Sequence, residues 1–504
     1  MRVLLVYPQI PDTFWSFKHA LRFASRKAAF PPLGLLTVAA MLPSEWEKKL
    51  IDMNVARLSD KDLRWADIVF ISAMVVQQES VRQVIDRCKA VGVRTVAGGP
   101  LFRPGYEDAA LNDVDHIISG EAEDILPRFL ADLERGDAAP AYLAEEFPDI
   151  TTTPVPLWSL VDTKQYQLMS LQYSRGCPFN CEFCDIVLMN GHVPRTKSRE
   201  QVLAELTALY DHGWRGSVFF TDDNFIGNKH KLKGEILPAI IEWNRSREYP
   251  FSFLTEASIN LADDETLMQM MVDAGFDMVF VGIESPNEES LLECNKLPNK
   301  GRDLLAAVKT IQSHGLQVQG GFIVGFDGDP PSIFQSQISF IQKSGIVTAM
   351  VGVLMAPPGT PLYKRLEAEG RLLRGGTGNN TDGTTNIVPK MGLQRLTEGY
   401  RRVVSTIYSP RYYYERVRTF LQEYRPHSNH RTQYSPRYIK ALLKCMWAIG
   451  VRHSGRAEFW RLYAWTLSHK PRCFPLFITF AIQGYHYRKV AETVYGRGEE
   501  CAHA

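Results

Sequence analysis

Short apolar runs alternate with helix-periodic stretches through the first 130 positions of the chain. RVLLVYP (2–8), KKLIDMN (48–54), ADIVFISAMVV (66–76), VRTVAGGP (93–100) and DHIISGEAE (115–123) have strand length and the apolar character of strands covered on both faces. Between the third and fourth, ESVRQVIDRCKAVG places Val81, Val84, Ile85 and Cys88 on one helical face, and Gly92 stands where a left-handed residue ends a helix. Strands alternating with helices predict a parallel, doubly wound, Rossmann-like sheet. Ligands of such sheets sit beyond the carboxyl ends of the strands. This chain places Pro8, Ser72, Ala73, Met74, Val75, Gly98, Gly99, Pro100, Gly120 and Glu121 there. The paired glycines would let backbone approach something bulky.

A stretch rich in Ala, Pro, Asp and Glu follows, with prolines at 140, 148, 154 and 156. It predicts a first domain over 1–135 and a linker over 136–165. From 166 to 365 the order helix, glycine, strand recurs around Gly213, Gly275, Gly315 and Gly345. Repeated units of this kind predict a partial (β/α)6 barrel, whose active site lies at the carboxyl ends of its strands. Those ends carry Cys177 to Cys184, Asp222, Asp223, Asn224, Glu256, Glu284, Asp327 and Pro357 to Thr360. Residues 366–504 begin with the loop GGTGNNTDGTTN (375–386) and continue as helical sequence, which predicts a mainly α domain. The fold class is α/β with this helical addition.

Composition narrows the class. The 504 residues are 45% hydrophobic and 22% charged, which fits a folded chain and excludes disordered or fibrous types. A net charge of +1 conceals an asymmetry: residues 401–504 hold 18 Lys and Arg against six Glu and no Asp, which leaves −11 for the rest. Tyr412, Tyr413, Tyr414, Trp447, Trp460, Trp465, Phe474 and Phe477 lie in the same region. Two readings compete: a basic helical domain packed on an acidic neighbour, or a segment that meets an anionic surface. Pro8 ends the apolar N-terminus with no small-residue cleavage site after it, so a strand is expected there and a cytoplasmic location. The longest late apolar run, Cys473 to Ile482, is interrupted by Pro475 and is about half of the ~20 residues a spanning helix needs, so no membrane crossing is expected.

Three of the eight cysteines, Cys177, Cys181 and Cys184, form SRGCPFNCEFCD with spacing C-x3-C-x2-C. In a reducing compartment such a cluster binds metal, and thiolates select zinc or iron–sulfur centres. Zinc would need a fourth ligand, for which His192 is the candidate. A [4Fe–4S] cube on three cysteines leaves one iron open for chemistry. Cys88, Cys294, Cys445, Cys473 and Cys501 are scattered and read as small hydrophobes.

This motif at the start of a partial barrel, with Phe183 just before the last cysteine, resembles the radical S-adenosylmethionine (SAM) enzymes. The resemblance implies that Cys177, Cys181 and Cys184 hold the [4Fe–4S] cluster and that Phe183 lies near the adenine of SAM. It also implies that Asp222, Asp223, Asn224, Glu256 and Glu284 contact SAM or substrate, since the hydroxyl and ammonium groups of SAM need acceptors. The front domain, with YP after its first strand, PPLGLLTVA (31–39), AGGP (97–100) and GEAE (120–123), resembles the cobalamin-binding class of that family. Pro8, Pro32, Leu33, Ser72, Ala73, Met74, Val75, Gly98, Gly99, Pro100, Gly120 and Glu121 would then bind cobalamin. No D-x-H-x-x-G sequence occurs, so no histidine ligates cobalt from below; Ala73, Met74 and Val75 would lie against the lower corrin face.

Two such cofactors imply a methyltransferase that uses one SAM to methylate cob(I)alamin and a second to generate a 5′-deoxyadenosyl radical, forming a C–CH3 bond at an unactivated carbon. The alternatives are a non-methylating enzyme resembling the anaerobic oxidative ring cyclase of chlorophyll biosynthesis, and a cobalamin- or metal-sensing protein without chemistry. TDDNFIGNK, NNTDGT and the basic, aromatic C-terminal region resemble a subgroup that includes the hopanoid C-2 methylase. That resemblance implies a small-molecule or polycyclic lipid substrate and peripheral contact with the inner membrane face. A one-electron donor of flavodoxin or ferredoxin type is implied as a partner, and no nucleic acid.

Overall fold

The computed structural model describes residues 1–105, 113–373, 375–379, 381–425 and 436–500; Asn380 and Cys501 lie outside them. Its front sheet has six parallel strands, β1 (Arg2–Tyr7), β2 (Glu47–Asp52), β3 (Ile68–Ser72), β4 (Arg94–Gly98), β5 (His116–Ser119) and β6 (Ala141–Leu143), in the order β2-β1-β3-β4-β5-β6. Alternate residues of the central strands enter two separate cores. Val3, Leu5 and Phe70 pack under helices Leu33–Met41 and Ala122–Arg135, while Leu4, Val6 and Ile71 pack under Asp60–Trp65 and Gln78–Val91. Coverage on both faces is why these strands read as unbroken apolar runs.

Two predictions are corrected here. The third strand ends at Ser72, because Val75–Gln77 turns into a short helix where Met74 N donates to the Gln77 side chain (2.8 Å). The linker also contributes a strand, β6, which satisfies the edge of β5 as Ile117 N donates to Pro140 O (2.8 Å).

The second sheet is built from β7 (Met169–Leu171), β10 (Gly216–Phe220), β11 (Phe251–Glu256), β12 (Phe276–Glu284), β13 (Gln317–Val324) and β14 (Ala349–Val353), all parallel and in sequential order. A short antiparallel pair, β8 (Ser174–Arg175) with β9 (Arg195–Thr196), lies between its first two strands in the chain. This is the expected partial (β/α)6 barrel. Register places Phe219, Leu254, Glu256, Phe280, Gly321 and Met350 on one face, the half-open interior. The opposite face, with Val218, Phe220, Phe253, Val279, Phe322 and Val351, is buried under helices.

After the barrel come helices Leu393–Tyr408, Pro410–Glu423, Pro436–Ala448, Arg456–His469 and Phe474–Glu500. They share one continuous core with the barrel. Tyr408 closes the free edge of β14, with its hydroxyl accepting from Ala349 N (3.2 Å) and donating to Ala349 O (2.6 Å). Of the tail aromatics, Tyr413, Tyr414 and Phe477 are core, whereas Tyr412, Trp447 and Trp460 face outward. The segment Phe14–Ala28 leaves the front sheet and joins this shared core, where Phe14 stacks on Tyr487.

Candidate active site

The cysteine loop hangs from a two-strand neck. Pairing of β8 with β9 closes residues 176–194 into a loop. Gly176 sits at its mouth with φ +98°, where a Cβ would lie 2.8–2.9 Å from the carbonyl oxygens of Asn190, Gly191 and Val193, so only glycine fits. Asp223 holds the same point, accepting from Gly176 N (2.9 Å) and Asn190 Nδ2 (2.8 Å). On the outer side Glu182 N donates to Cys294 O (2.9 Å), and the Glu182 carboxylate takes a bidentate pair from Arg365 at 2.7 and 2.9 Å. Asp327 is committed elsewhere, as the acceptor for Arg365 and Arg371.

Burial pushes all three thiols above their ordinary range, Cys184 to about 12. Several groups oppose it: the backbone of Phe179 and the Asn224 side chain hydrogen-bond Cys177, the backbone of Ile186 hydrogen-bonds Cys184, and the Lys296 ammonium acts on all three. Burial alone would lower Lys296, yet Glu284 (2.6 Å) and the thiols Cys181 and Cys184 hold it firmly protonated. On balance the free thiols stay protonated, so a metal that bound them would displace their protons. His192 is exposed, and among the described residues no three acid, thiol or imidazole groups gather tightly enough for one ion. With His192 turned to solvent the three thiols leave a zinc ion short of a fourth protein ligand, whereas a [4Fe–4S] cube takes three.

The acidic residues separate by role. Asp222 is 1% exposed and accepts from Tyr173 N (3.2 Å), Ser174 Oγ (2.5 Å) and Ser174 N. Asn224 is tied to Ser258 as well as to Cys177. Glu284, at φ +61° where β12 slips register against β13, turns its carboxylate to Lys296. Glu256 differs from these. It lies on the interior face with no hydrogen-bond partner among the described residues, and it is pushed up to about 7, first by burial and then by Asp223 and Asp222. An enclosed carboxylate of this kind fits the hydroxyl or ammonium groups of SAM. Phe183 packs near Phe326 (6.1 Å) and under Lys296.

At the front sheet, the chain turns in opposite directions from β1 and β3, which makes the crevice between their ends the switch point of a doubly wound fold. Pro8, Ser72, Ala73, Met74 and Val75 sit there. Met74 is 52% exposed, and Gln77 seals the base by donating to Pro8 O (2.5 Å). Pro32 is buried ahead of its helix and Leu33 half-buried. Gly98 and Pro100 lie along the same edge, half-exposed. Gly99 answers to its own chain, since a Cβ would meet Ser72 Oγ at 2.8 Å, and Gly120 is packed against Ala144. The Glu121 carboxylate pairs with Arg175 and Arg195.

Those pairs belong to the bridge between the two sheets. Arg175, next to Gly176 and Cys177, is held by Glu121 and also by Glu123 at 2.8 and 3.1 Å. Arg103 reaches Asp185 (2.7 Å), just after Cys184. Pro358 packs on Gly105, and Val75 on Gly378. The carboxyl edges of the two sheets thus face each other. Lys296 and Arg103 went unnoticed in the sequence; Arg175 and Glu123 lay inside the segments SRGC and GEAE but were given no role there.

Family models match the chain in three places: the B12 binding domain over residues 21–130, the radical SAM superfamily over 171–340, and a domain of unknown function (DUF4070) over 360–500. An uncharacterized methyltransferase of Synechocystis is 41% identical, over 98% of this chain and 92% of its own length. The hopanoid C-2 methylase of Rhodopseudomonas palustris is 32% identical, over 91% of this chain and 88% of its own length. The chain belongs to the cobalamin-dependent radical SAM methyltransferases. This methyltransferase shares its fold with OxsB, a cobalamin-dependent SAM radical enzyme, at a TM-score of 0.61 and 16% identity, over 99% of this chain and 80% of that one. Its cofactors are a [4Fe–4S] cluster, SAM and cobalamin.

Proposed function

We propose that the enzyme methylates an unactivated carbon of a polycyclic lipid of the hopanoid type, held in the barrel interior between the two facing edges. The observation that carries this reading is that opposition of edges, with an apolar interior between them. Phe219, Leu254, Phe280 and Met350 line that interior. The front segment crosses it, with Trp15 on Phe280 (5.5 Å) and on Met350 Sδ (3.1 Å), and Phe30 near Phe219 (6.2 Å). A lining of rings and alkyl groups suits a hydrocarbon skeleton and keeps water from a reactive carbon.

When bound, the cluster and SAM supply a radical that takes hydrogen from such a carbon, and cobalamin supplies the methyl group. The chain's residues do the rest. Cys177, Cys181 and Cys184 hold the cluster, Lys296 offsets its charge, and Glu256 and Glu284 accept from SAM, with Phe183 beside the adenine. Ala73, Met74 and Val75 would hold the corrin. We assign residues 1–135 to cobalamin, 136–165 to the linker, 166–365 to the barrel and 366–504 to the helical cover, and a flavodoxin- or ferredoxin-type protein as electron donor.

The test compares extracts of an anaerobic host fed methyl-deuterated methionine and expressing the wild type or Cys184→Ala. The expected outcome is a lipid heavier by one labelled CH2 unit, present only with the intact cluster. A cluster-dependent product with hydrogen loss or oxygen gain and no label would establish the cyclase-type reaction instead. A labelled product in the aqueous fraction would overturn the lipid.

A further inference from the structure

Among the described residues no helix is long and apolar enough to cross a membrane, so a membrane lipid must be reached from the surface. Helix Pro436–Ala448 carries Ile439, Leu443 and Trp447, and the turn after it carries Val451; these recur at every fourth position and are 53, 62, 56 and 46% exposed. The other face of the helix is buried, with Cys445 and Ile449 at 0% and Leu442 against the core. Single exposed apolar side chains are ordinary on a protein surface, but a stripe of four large ones marks a contact surface.

Charge indicates what the stripe meets. From Tyr424 to Ala457 the chain has seven Lys and Arg and no Asp or Glu. Lys440 is exposed next to the stripe, and the Arg452 guanidinium lies 5.2 Å from the Trp447 ring. Trp460, on the following helix, adjoins it by donating to Gly450 O (2.8 Å). An apolar stripe with an aromatic ring and acid-free basic flanks is the composition of a helix lying in an anionic bilayer interface. A second copy of the chain would bring the same cations against themselves, which works against self-association through this face.

The stripe is also seated close to the site. Lys444 donates to Arg22 O (2.8 Å) and Ser25 Oγ (3.2 Å), which fixes the helix on Lys18–Ala24. That short helix lies in the chain between Trp15 and Phe30, the residues that reach the barrel interior. We propose that the exposed face of Pro436–Ala448 anchors the enzyme on anionic bilayers. The inference rests on the lipid-substrate reading for its purpose and on the exposed stripe for its geometry.

The test is co-sedimentation of the holoenzyme with vesicles of phosphatidylcholine alone or mixed with phosphatidylglycerol, across a range of salt. The wild type is expected to bind the anionic vesicles and to weaken as salt rises. The triple variant Ile439→Ser, Leu443→Ser, Trp447→Ser is expected to lose at least about tenfold in binding while keeping its cluster and cobalamin absorption and its SAM cleavage. Absence of wild-type binding, binding that the triple variant retains, or a wild-type dimer that the variant dissociates would each overturn the anchor. The two readings fail separately: vesicle binding with a water-soluble product removes the lipid substrate and keeps the anchor, and a lipid product without vesicle binding does the reverse.

Discussion

Enclosure without a matching cation sets the behaviour of Glu256. Its carboxyl titrates near 7 in the folded chain against an ordinary 4.5, so the folded state favours the protonated form. The stability this contributes is complete below about pH 4.5 and is lost as pH rises through 7. Glu256→Gln removes the titration. Without SAM, the melting temperature of the wild type should fall relative to that of the variant between pH 5 and 8, by the equivalent of about 1–3 kcal/mol. Parallel curves for the two proteins would show that Glu256 is ionised and satisfied at every pH in that range. At this scale the cysteines were legible in the sequence because their chemistry needs a fixed local spacing. Lys296 was not, because it comes from the loop after the short helix Glu288–Glu293 and only the fold sets it beside the sulfurs.

Short pieces of backbone carry the site. The neck formed by β8 and β9 depends on Gly176, whose positive φ and three crowding carbonyls leave no room for a side chain. Gly176→Ala should cost about 1–3 kcal/mol locally and lower the iron bound per chain, measured by iron analysis and a thermal melt. Full iron occupancy in the variant would show that the neck relaxes without consequence. The strand-and-glycine rhythm of the barrel was readable because buried strands and left-handed helix ends have local signatures. The end of β3 and the added strand β6 were not, because backbone hydrogen bonds to distant partners decided them.

Across the whole molecule, coupling between the two sheets passes through Arg175, which is only 13% exposed and shared by Glu121 and Glu123. Removing it leaves the buried Glu123 carboxylate without its cation while Glu121 keeps Arg195, a change that typically costs about 3 kcal/mol or more. For Arg175→Met, calorimetry should show the front domain melting apart from the barrel. SAM cleavage should persist while methylated product falls by about tenfold or more, since transfer depends on the spacing of the two edges. A single melt with unchanged product would show that the remaining contacts, Arg195–Glu121 and Arg103–Asp185 among them, hold the halves together.

From sequence alone it was possible to determine the three architectural regions, the C-x3-C-x2-C motif and the family resemblance, because apolar periodicity, helix-ending glycines and cysteine spacing are properties of neighbouring residues. The tertiary structure alone decided that the carboxyl edges face each other, that Asp222 and Glu121 have close hydrogen-bond and arginine partners while Glu256 has none among the described residues, and that one stripe of the basic tail lies outward. Each of these depends on which distant side chains reach the same place, and burial, pairing and exposure are set only when the chain has closed around them.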